Sequence, residues 1–581
     1  MKAWIRHAWP WLAAVLSGAL LGLCYPRWDL AGLVWVWQIP LFLALWFSHG
    51  KKPWRRGLAL GYTSGLTFFL INLSSLLELR HVAGTVWAGL GAWLALPGYL
   101  ALYFGIWGAF AATAGRWNPG ANEAKRPAED RGDLFGPSLA GLKSAALVSA
   151  AWCGLEWLRG IAFTGFGWNG LGVALHESLY LIQIADVIGV SGLSFLIVFC
   201  NAVWTATLVR IWREMAVRNR LRPHLDFAVA TALIIGVFLY GVTRIMGRPT
   251  PSPENSVSLR TLLVQLNTPI DEKWDQTHAQ RIIETYRDLT LGYVESSKYD
   301  LVIWPETALP GRWNFPWVQT YLNDHILGKA DFSLILGIED EEFEGGQIYN
   351  CIGLARGSTK ESQLHRKIHR VPFGEYIPLR HSFPVFAWIA GGMVPMDFTA
   401  GTSHEPLKLR DPEAGIIPLI CFEDTVGRLA RKFVRPGPQL LVNVTNDGWF
   451  YQSPLAIQHL ANAKFRCVEL RRPMARAANT GVSAFIDEVG SLEFPDAAPG
   501  TTGHERLRVV QDPLTGNTFT TGTLPSTVTL QKDAPITFFA RYGDAFSVAM
   551  GLMATLAAAL PAWGRRRAKA PRTVAGDRVR P

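Results

Sequence analysis

The sequence predicts a polytopic α-helical membrane bundle of about eight spans, joined to a water-facing α/β domain of layered sheets. Three observations predict it. Long apolar runs recur through residues 1–248 and again at 543–563. Lys and Arg gather in alternate short loops between those runs. After a Pro-rich joint the pattern changes to short β-rich runs alternating with polar helices.

Composition agrees. The 581 residues are 49% hydrophobic, only 18% charged, and include 24 tryptophans. These values exclude a disordered chain and argue against an ordinary cytosolic enzyme. The six cysteines, Cys24, Cys153, Cys200, Cys351, Cys421 and Cys467, are too scattered for a disulfide scaffold or a zinc cluster.

Candidate spans lie near 8–25, 30–48, 57–77, 86–114, 143–158, 188–210, 226–246 and 543–563. The fourth is overlong, and Pro97 is its expected kink. Trp35, Trp37, Trp87 and Trp93 lie near span ends or along their faces, where an interfacial belt and core packing are both open. Gly57, Gly61 and Gly65, four apart, are expected to let helices approach closely. Met1–Cys24 has the basic start and apolar run of a secretory signal. Leu23 replaces the small residue that lipoprotein cleavage needs, and another span follows, so the segment reads as a retained helix.

Lys51, Lys52, Arg55 and Arg56 follow span two. Arg116, Lys125, Arg126, Arg131 and Lys143 follow span four, and Arg210, Arg213, Arg218, Arg220 and Arg222 follow span six. Arg565, Arg566, Arg567 and Lys569 follow span eight, whereas the other short loops offer mainly Arg27, Arg80 and Arg159. Both termini are therefore expected in the cytoplasm, with the domain between spans seven and eight outside. The expected organisation is a seven-span domain over 1–248, a linker over 249–257, an α/β domain over 258–540, an eighth span over 543–563 and a basic tail over 564–581.

In the α/β domain, strands are expected at Leu259–Leu266, Leu301–Trp304, Phe332–Ile338, Ile348–Ala355, Ile416–Ile420 and Leu440–Val444. Helices are expected at Thr277–Glu295 and Pro454–Arg472. Residues 500–530 match no motif.

Three segments there carry chemistry. Asp300-Leu-Val-Ile-Trp-Pro-Glu306 delivers a carboxylate at a strand end. Arg366-Lys367-Ile-His-Arg-Val-Pro-Phe-Gly-Glu375 sets a lysine eight residues before a second carboxylate. Gly415-Ile-Ile-Pro-Leu-Ile-Cys421-Phe-Glu-Asp424 is an apolar strand ending in cysteine and acids. A cysteine attacks a carbonyl as thiolate, so it needs a base and a positive neighbour. Glu306 suits the base, and Lys367 suits the stabiliser of thiolate and oxyanion, helped by a backbone N–H after the cysteine. Glu375 can hold Lys367 or assist the base. Each part alone has a bland reading as a buried small residue, a turn or a solvated charge; the conjunction in this order is what counts. His365 and His369, four apart in an extended-looking segment, lack a third ligand, so no metal site is expected.

Glu, Lys and Cys in this order resemble the catalytic set of the nitrilase, or carbon–nitrogen hydrolase, superfamily, which implies an αββα sandwich. A nitrilase-like domain inserted before the last of several spans resembles the bacterial apolipoprotein N-acyltransferase family over essentially the whole chain. Val264-Gln-Leu-Asn267, Lys273-Trp274-Asp275, Val371-Pro-Phe-Gly-Glu-Tyr-Ile-Pro378 and Asn443-Val-Thr-Asn-Asp447-Gly-Trp-Phe450 carry that resemblance. So do His459, Arg466, Glu469, Arg472, Arg476 and Asn479.

The resemblance implies Glu306 as general base, Lys367 as transition-state stabiliser and Cys421 as nucleophile. It implies Glu375 and Glu423 as supporting carboxylates and Trp274 as a substrate-binding residue on a mobile loop near the lipid entrance. The residue after the nucleophile, often Tyr in the family, is Phe422, whose missing hydroxyl removes any hydrogen-bonding role. The implied reaction is ping-pong acyl transfer. A membrane phospholipid acylates Cys421, and the α-amine of an S-diacylglyceryl-cysteine at an apolipoprotein N-terminus takes the acyl group. The location implied is the bacterial inner membrane, with the catalytic domain periplasmic, no cofactor, no nucleic-acid partner and a monomeric state. Two rivals are a membrane-anchored amidase or nitrile hydrolase with water as acceptor, and a transporter or receptor with an inactive outer domain. The intact Glu306, Lys367 and Cys421 weigh against the second.

The charge of +10 fits this reading. Residues 254–541 hold 28 Lys and Arg against 33 Asp and Glu, so the basic excess lies wholly in the membrane part. It marks topology rather than nucleic-acid binding.

Overall fold

The computed structural model describes residues 2–48, 51–118, 135–217, 223–273, 275–342, 344–357, 361–382, 394, 396–493 and 506–569. Every expected span is helical in whole or part. The helices are α1 (Lys2–Gly22), α2 (Ile39–Phe47), α3 (Pro53–Asn72), α4 (Val86–Ala111), α5 (Gly136–Arg159), α6 (Ala185–Val217), α7 (Leu225–Met246) and, at the end of the chain, α10 (Ala545–Lys569). Helix α4 continues through Pro97.

Length and apolar composition qualify α4, α5, α6 and α7 as membrane-crossing among the described residues, and a fifth if α3 is joined to Ser74–Val82 across a 53° bend. The second expected span is a short 3₁₀ turn, Ala31–Trp35, followed by α2, and the apolar part of α10 ends at Leu560. Eight full crossings are therefore not reached on these criteria.

The glycine spacing in α3 works as expected. A Cβ on Gly57 would stand 2.4 Å from the Gly108 carbonyl oxygen, and one on Gly61 2.3 Å from that of Phe104. Only hydrogen side chains allow α3 and α4 this approach. Trp37 is fully buried among Phe104 and Trp152, whereas Trp87 is exposed, so the tryptophans divide between core and surface.

Among the described residues the α/β domain holds eleven strands. They are β1 (Ser256–Gln265), β2 (Leu301–Trp304), β3 (Ser333–Glu342), β4 (Gln347–Arg356), β5 (Glu361–Arg366), β6 (Leu407–Arg410), β7 (Glu413–Ile420), β8 (Gln439–Thr445), β9 (Met474–Ala478), β10 (Ala484–Ile486) and β11 (Gly522–Gln531). One sheet runs β11-β1-β2-β3-β4-β5 and the other β10-β9-β8-β7-β6. β1, β2 and β3 are mutually parallel, as are β7, β8 and β9; the outer pairings are antiparallel.

Alternation along the strands builds two cores. Leu263, Ile303 and Ile335 of the first sheet meet Ile416, Leu440 and Val442 of the second. The opposite residues, Leu262, Val302 and Leu336, pack under α8 (Gln276–Val294) through Ile282, Ile283 and Tyr286. The second sheet's outer face is covered by α9 (Leu455–Leu470), which is itself packed against the membrane helices. The layers are thus helix, sheet, sheet, helix. Residues 522–531, unmatched by any motif, form the edge strand β11 opposite β1. Pro525 is tolerated in it because an edge strand has a free side.

Candidate active site

Three chain segments converge at the ends of β2, β5 and β7. β2 ends at Trp304, Pro305 stops the ladder, and Glu306 follows. β3 presses against this turn, with Gly337 N donating to the Pro305 carbonyl at 3.1 Å. A Cβ on Gly337 would lie 2.4 Å from Glu306 Cα, so this glycine sets the turn's position. Lys367 follows β5 directly, its backbone N–H donating to Asn350 O of β4 at 2.8 Å.

Cys421 follows β7 at φ +52°, in the left-handed region, and opens a 3₁₀ turn through Thr425. A non-glycine residue held there stores backbone strain and projects its side chain from a sharp strand-to-helix turn. Asn443 Nδ2 on β8 donates to the Cys421 carbonyl at 3.1 Å, fixing the turn from below.

The polar groups form one network. Lys367 Nζ donates to Glu375 Oε1 at 2.8 Å, and Asn350 Nδ2 donates to Glu306 Oε1 at 2.7 Å and Glu375 Oε1 at 2.9 Å. Glu375 Oε2 accepts from Val371 N at 2.8 Å, closing its own loop. Glu423 Oε1 accepts from Ile368 N and His369 N, both at 2.8 Å, and its Oε2 from Ile420 N at 2.9 Å. One carboxylate therefore clamps the residue before Cys421 to the residues after Lys367. Glu306, Lys367, Glu375 and Glu423 are all buried, and Cys421 is half-buried.

Burial pushes the Glu306 carboxyl up, Glu375 adds to the shift, and Lys367 opposes it. The Cys421 thiol is raised, by burial first and Glu306 second, with Lys367 pulling the other way. Burial works against the Lys367 ammonium, but Glu375, Cys421, Glu306 and Glu423 outweigh it and hold its pKa above the ordinary value. Burial thus favours the neutral thiol and the neutral Glu306 carboxyl, whereas the surrounding acids favour the charged lysine. A base of raised pKa beside a thiol and a fixed cation can pass one proton back and forth during acyl transfer.

All five expected polar residues thus meet at one place. Trp274 lies outside the described residues. His365 and His369 face different rings, Phe433 at 5.4 Å and Phe422 at 5.8 Å, and among the described residues no group of three metal-ligating side chains occurs.

Sequence reasoning missed Asn350, which read only as one residue of a strand. It also gave no role to Lys273. Lys273 Nζ donates to the Glu306 carbonyl at 2.7 Å, and burial lowers its pKa to about 8.

The motif from Asn443 to Asn479 has a different character. Within α9 every residue but Ile457 is buried, because the helix lies between the second sheet and the membrane helices. His459 accepts or donates at both nitrogens, Nδ1 to Asp447 at 2.7 Å and Nε2 to Asp424 at 2.8 Å. Arg476 reaches the same two carboxylates at 3.4 and 3.5 Å. Two buried anions are balanced by two buried cations, a condition burial imposes. Burial depresses the His459 pKa, but Asp424 and Asp447 overcome it and raise it to about 9.

Other polar residues bind α9 to the membrane helices. Lys464 pairs with Glu177 at 2.9 Å, Arg471 with Asp186 at 2.9 Å, and Glu469 Oε1 accepts from Val190 N at 3.3 Å. Phe422, lacking a hydroxyl, stacks between His369 and two rings of the helical domain: Trp168 at 6.0 Å and 6°, and Phe166 at 5.9 Å.

Comparison with known proteins covers both parts. Residues 17–203 match the apolipoprotein N-acyltransferase N-terminal domain, and residues 262–496 the carbon–nitrogen hydrolase domain. An apolipoprotein N-acyltransferase of Geobacter metallireducens is 32% identical over 95% of this chain and 95% of its own. That of Nitrosomonas europaea is 31% identical over 90% of this chain and 92% of its own. A solved CN-hydrolase superfamily protein from Xanthomonas campestris is 17% identical, covers 55% of this chain and 100% of its own, and has a TM-score of 0.31.

Proposed function

The chain belongs to the apolipoprotein N-acyltransferase family, and from that premise we propose that it transfers an acyl chain from a membrane phospholipid to the N-terminal amine of a diacylglyceryl apolipoprotein through a thioester on Cys421. The observation that carries the proposal is the Glu306–Asn350–Glu375–Lys367 network beside Cys421, a base and a fixed cation wired together at a strained strand end.

In the first half-reaction Glu306 takes the thiol proton as Cys421 Sγ attacks the sn-1 ester carbonyl. Lys367, with the Phe422 N–H, stabilises the tetrahedral oxyanion. The C–O bond breaks, Glu306 returns the proton to the departing glycerol oxygen, and a lysophospholipid leaves the thioacyl enzyme. In the second, the α-amine attacks the thioester carbonyl, Glu306 takes the amine proton, the C–S bond breaks as the amide forms, and Glu306 returns that proton to the departing Cys421 sulfur.

Glu375 and Glu423 act as positioning carboxylates, the first for Lys367 and the second for the Cys421 turn. Trp274 is assigned to the lipid entrance by its place in the family's motif alone.

The arrangement in the membrane follows the expected domains. Eight helical segments, with both termini cytoplasmic and residues 258–540 on the periplasmic side of a bacterial inner membrane, are supported by the basic loops after spans two, four, six and eight. Both substrates are lipid-anchored, so tethering the enzyme to the same surface raises their effective concentration. A monomer suffices, since every polar group used belongs to one chain.

The test uses the full chain in phospholipid vesicles with a synthetic S-diacylglyceryl-cysteinyl peptide. The expected product is the peptide one acyl chain heavier, as an amide, absent with Cys421→Ser. Release of free fatty acid at the same rate with and without the peptide would replace this reading with the hydrolase.

A further inference from the structure

A second buried lysine stands behind the base. Lys273 ends the short helical turn Ile270–Lys273 that follows β1, and it is 8% exposed. The chain entering that turn is pinned to the second sheet: Asn267 N donates to Asn479 O at 2.7 Å, and Asn479 Nδ2 donates to Thr268 O at 2.9 Å. The lysine therefore starts from a fixed point.

Lys273 Nζ donates to the Glu306 carbonyl at 2.7 Å, and among the described residues no other acceptor stands within hydrogen-bond distance of it. The peptide it grips joins Glu306 to Thr307, whose φ of +50° lies in the left-handed region. A non-glycine residue stays there only where its surroundings hold it. Two contacts hold this turn: Lys273 Nζ on the Glu306 carbonyl, and Ala308 N, which donates to Gly337 O of β3 at 2.8 Å.

Anchoring a carbonyl does not require a charge, and burying an ammonium is costly. Here Glu306 first, then Cys421 and Glu339, favour the charged lysine; Glu339 is itself 3.9 Å from Arg312. The attraction is mutual. Lys273 favours the ionised Glu306 carboxyl together with Lys367 and Asn350, against burial and Glu375. Burial lowers the Lys273 pKa only to about 8, so the charge is present at acidic and neutral pH.

We propose that Lys273 is a positioning residue for the general base: its ammonium fixes the strained Glu306–Thr307 peptide, and its charge keeps the Glu306 carboxyl in the ionised form that accepts the Cys421 proton. The inference rests on the assignment of Glu306 as base in the reaction above. It gives the site two cations with different tasks, Lys367 for the thiolate and oxyanion and Lys273 for the base.

The test follows thioacylation of the full chain in neutral detergent by intact mass, from pH 5 to 9, with dipalmitoylphosphatidylglycerol and with p-nitrophenyl palmitate as donors. Lys273→Gln keeps a donor for the carbonyl and removes the charge. Its acid limb should move to higher pH with both donors, and its rate at pH 6 should fall about 10- to 100-fold. The loss should fall on kcat, with KM for each donor unchanged. Lys273→Arg keeps the charge and should leave the limb at its wild-type position.

An unmoved limb in Lys273→Gln, with the same rate loss at every pH, would mark a purely structural lysine and overturn the proposal. So would a limb that moves equally in Lys273→Arg, because charge is then not the cause. If Lys273→Gln does not fold, it is combined with Thr307→Gly, since glycine adopts φ +50° without strain. The limb shift should persist in that double variant, and its absence there overturns the charge role. Wild type acylated by p-nitrophenyl palmitate but not by the phospholipid would defeat the donor reading alone, and the limb measured with the nitrophenyl ester would still decide Lys273.

Discussion

Glu306 and Glu375 are joined through one amide group, Asn350 Nδ2, which donates to Glu306 Oε1 at 2.7 Å and to Glu375 Oε1 at 2.9 Å. Lys367 donates to that same Glu375 oxygen at 2.8 Å. Glu306 and Lys367 are therefore parts of one hydrogen-bonded unit, and displacing either moves the other. Asn350→Ala removes a donor that favours the ionised form of Glu306. The Glu306 pKa should rise further, so the acid limb of the thioacylation rate moves to higher pH. The maximal rate should fall about 10- to 100-fold. A pH–rate profile of thioacylation checks both, and an unmoved limb would detach Asn350 from the base.

Lys367→Ala leaves Glu306, Glu375 and Glu423 near one another with their central cation gone. Thioacylation should drop by about 10²- to 10³-fold, as when an oxyanion donor is lost. Stopped reactions resolved by intact mass give the rate. Normal thioacylation in this variant would remove the role assigned to Lys367.

Gly337→Ala is a test of placement rather than chemistry, since position 337 has no functional group. Its new methyl would meet Glu306 Cα at 2.4 Å, and backbone atoms cannot yield as a side-chain end does. The β2–Glu306 turn must shift, costing about 1–3 kcal/mol of stability. Activity should fall more than the lost folded fraction explains. Parallel thermal melts and thioacylation rates separate the two effects.

His459 makes stability depend on alkaline pH. Its folded pKa is raised from 6.5 to about 9 by Asp424 and Asp447, so the imidazolium's contribution is fully present below pH 6.5 and is lost as pH rises through about 9. Asp447 is lowered from 3.8 through His459 and Arg476, after burial has acted against it; its contribution is present above 3.8 and lost as pH falls through that depressed value. Wild-type Tm should decline between about pH 6.5 and 9, and His459→Gln should start lower and lose that decline. Melts from pH 6 to 10 test this.

Lys367 was legible by its place between Glu306 and Cys421 and before Glu375. Glu306 and Cys421 were legible because each follows an apolar strand, where an acid or cysteine stands out against hydrophobic neighbours. Six strands were legible for the same reason. β5, β6, β9, β10 and β11 were not: Glu361–Arg366 is polar, Met474–Ala478 is too rich in Ala to mark a strand, and Pro525 interrupts β11. Asn350 was invisible because its importance comes from facing two carboxylates distant in sequence. The acids and bases of α9 entered the sequence reading only as part of the family resemblance. Their explanation is a helix buried on both sides, which no periodicity reveals when polar groups are neutralised by partners on other elements.

The central claim is a thioacyl enzyme on Cys421, and intact-protein mass spectrometry after incubation with a single defined phospholipid tests it most directly. The account requires one acyl adduct on wild type, none on Cys421→Ser, and its discharge by a diacylglyceryl-cysteinyl peptide with formation of the amide. Active wild type carrying no adduct during turnover, or an equal adduct on Cys421→Ser, would contradict it.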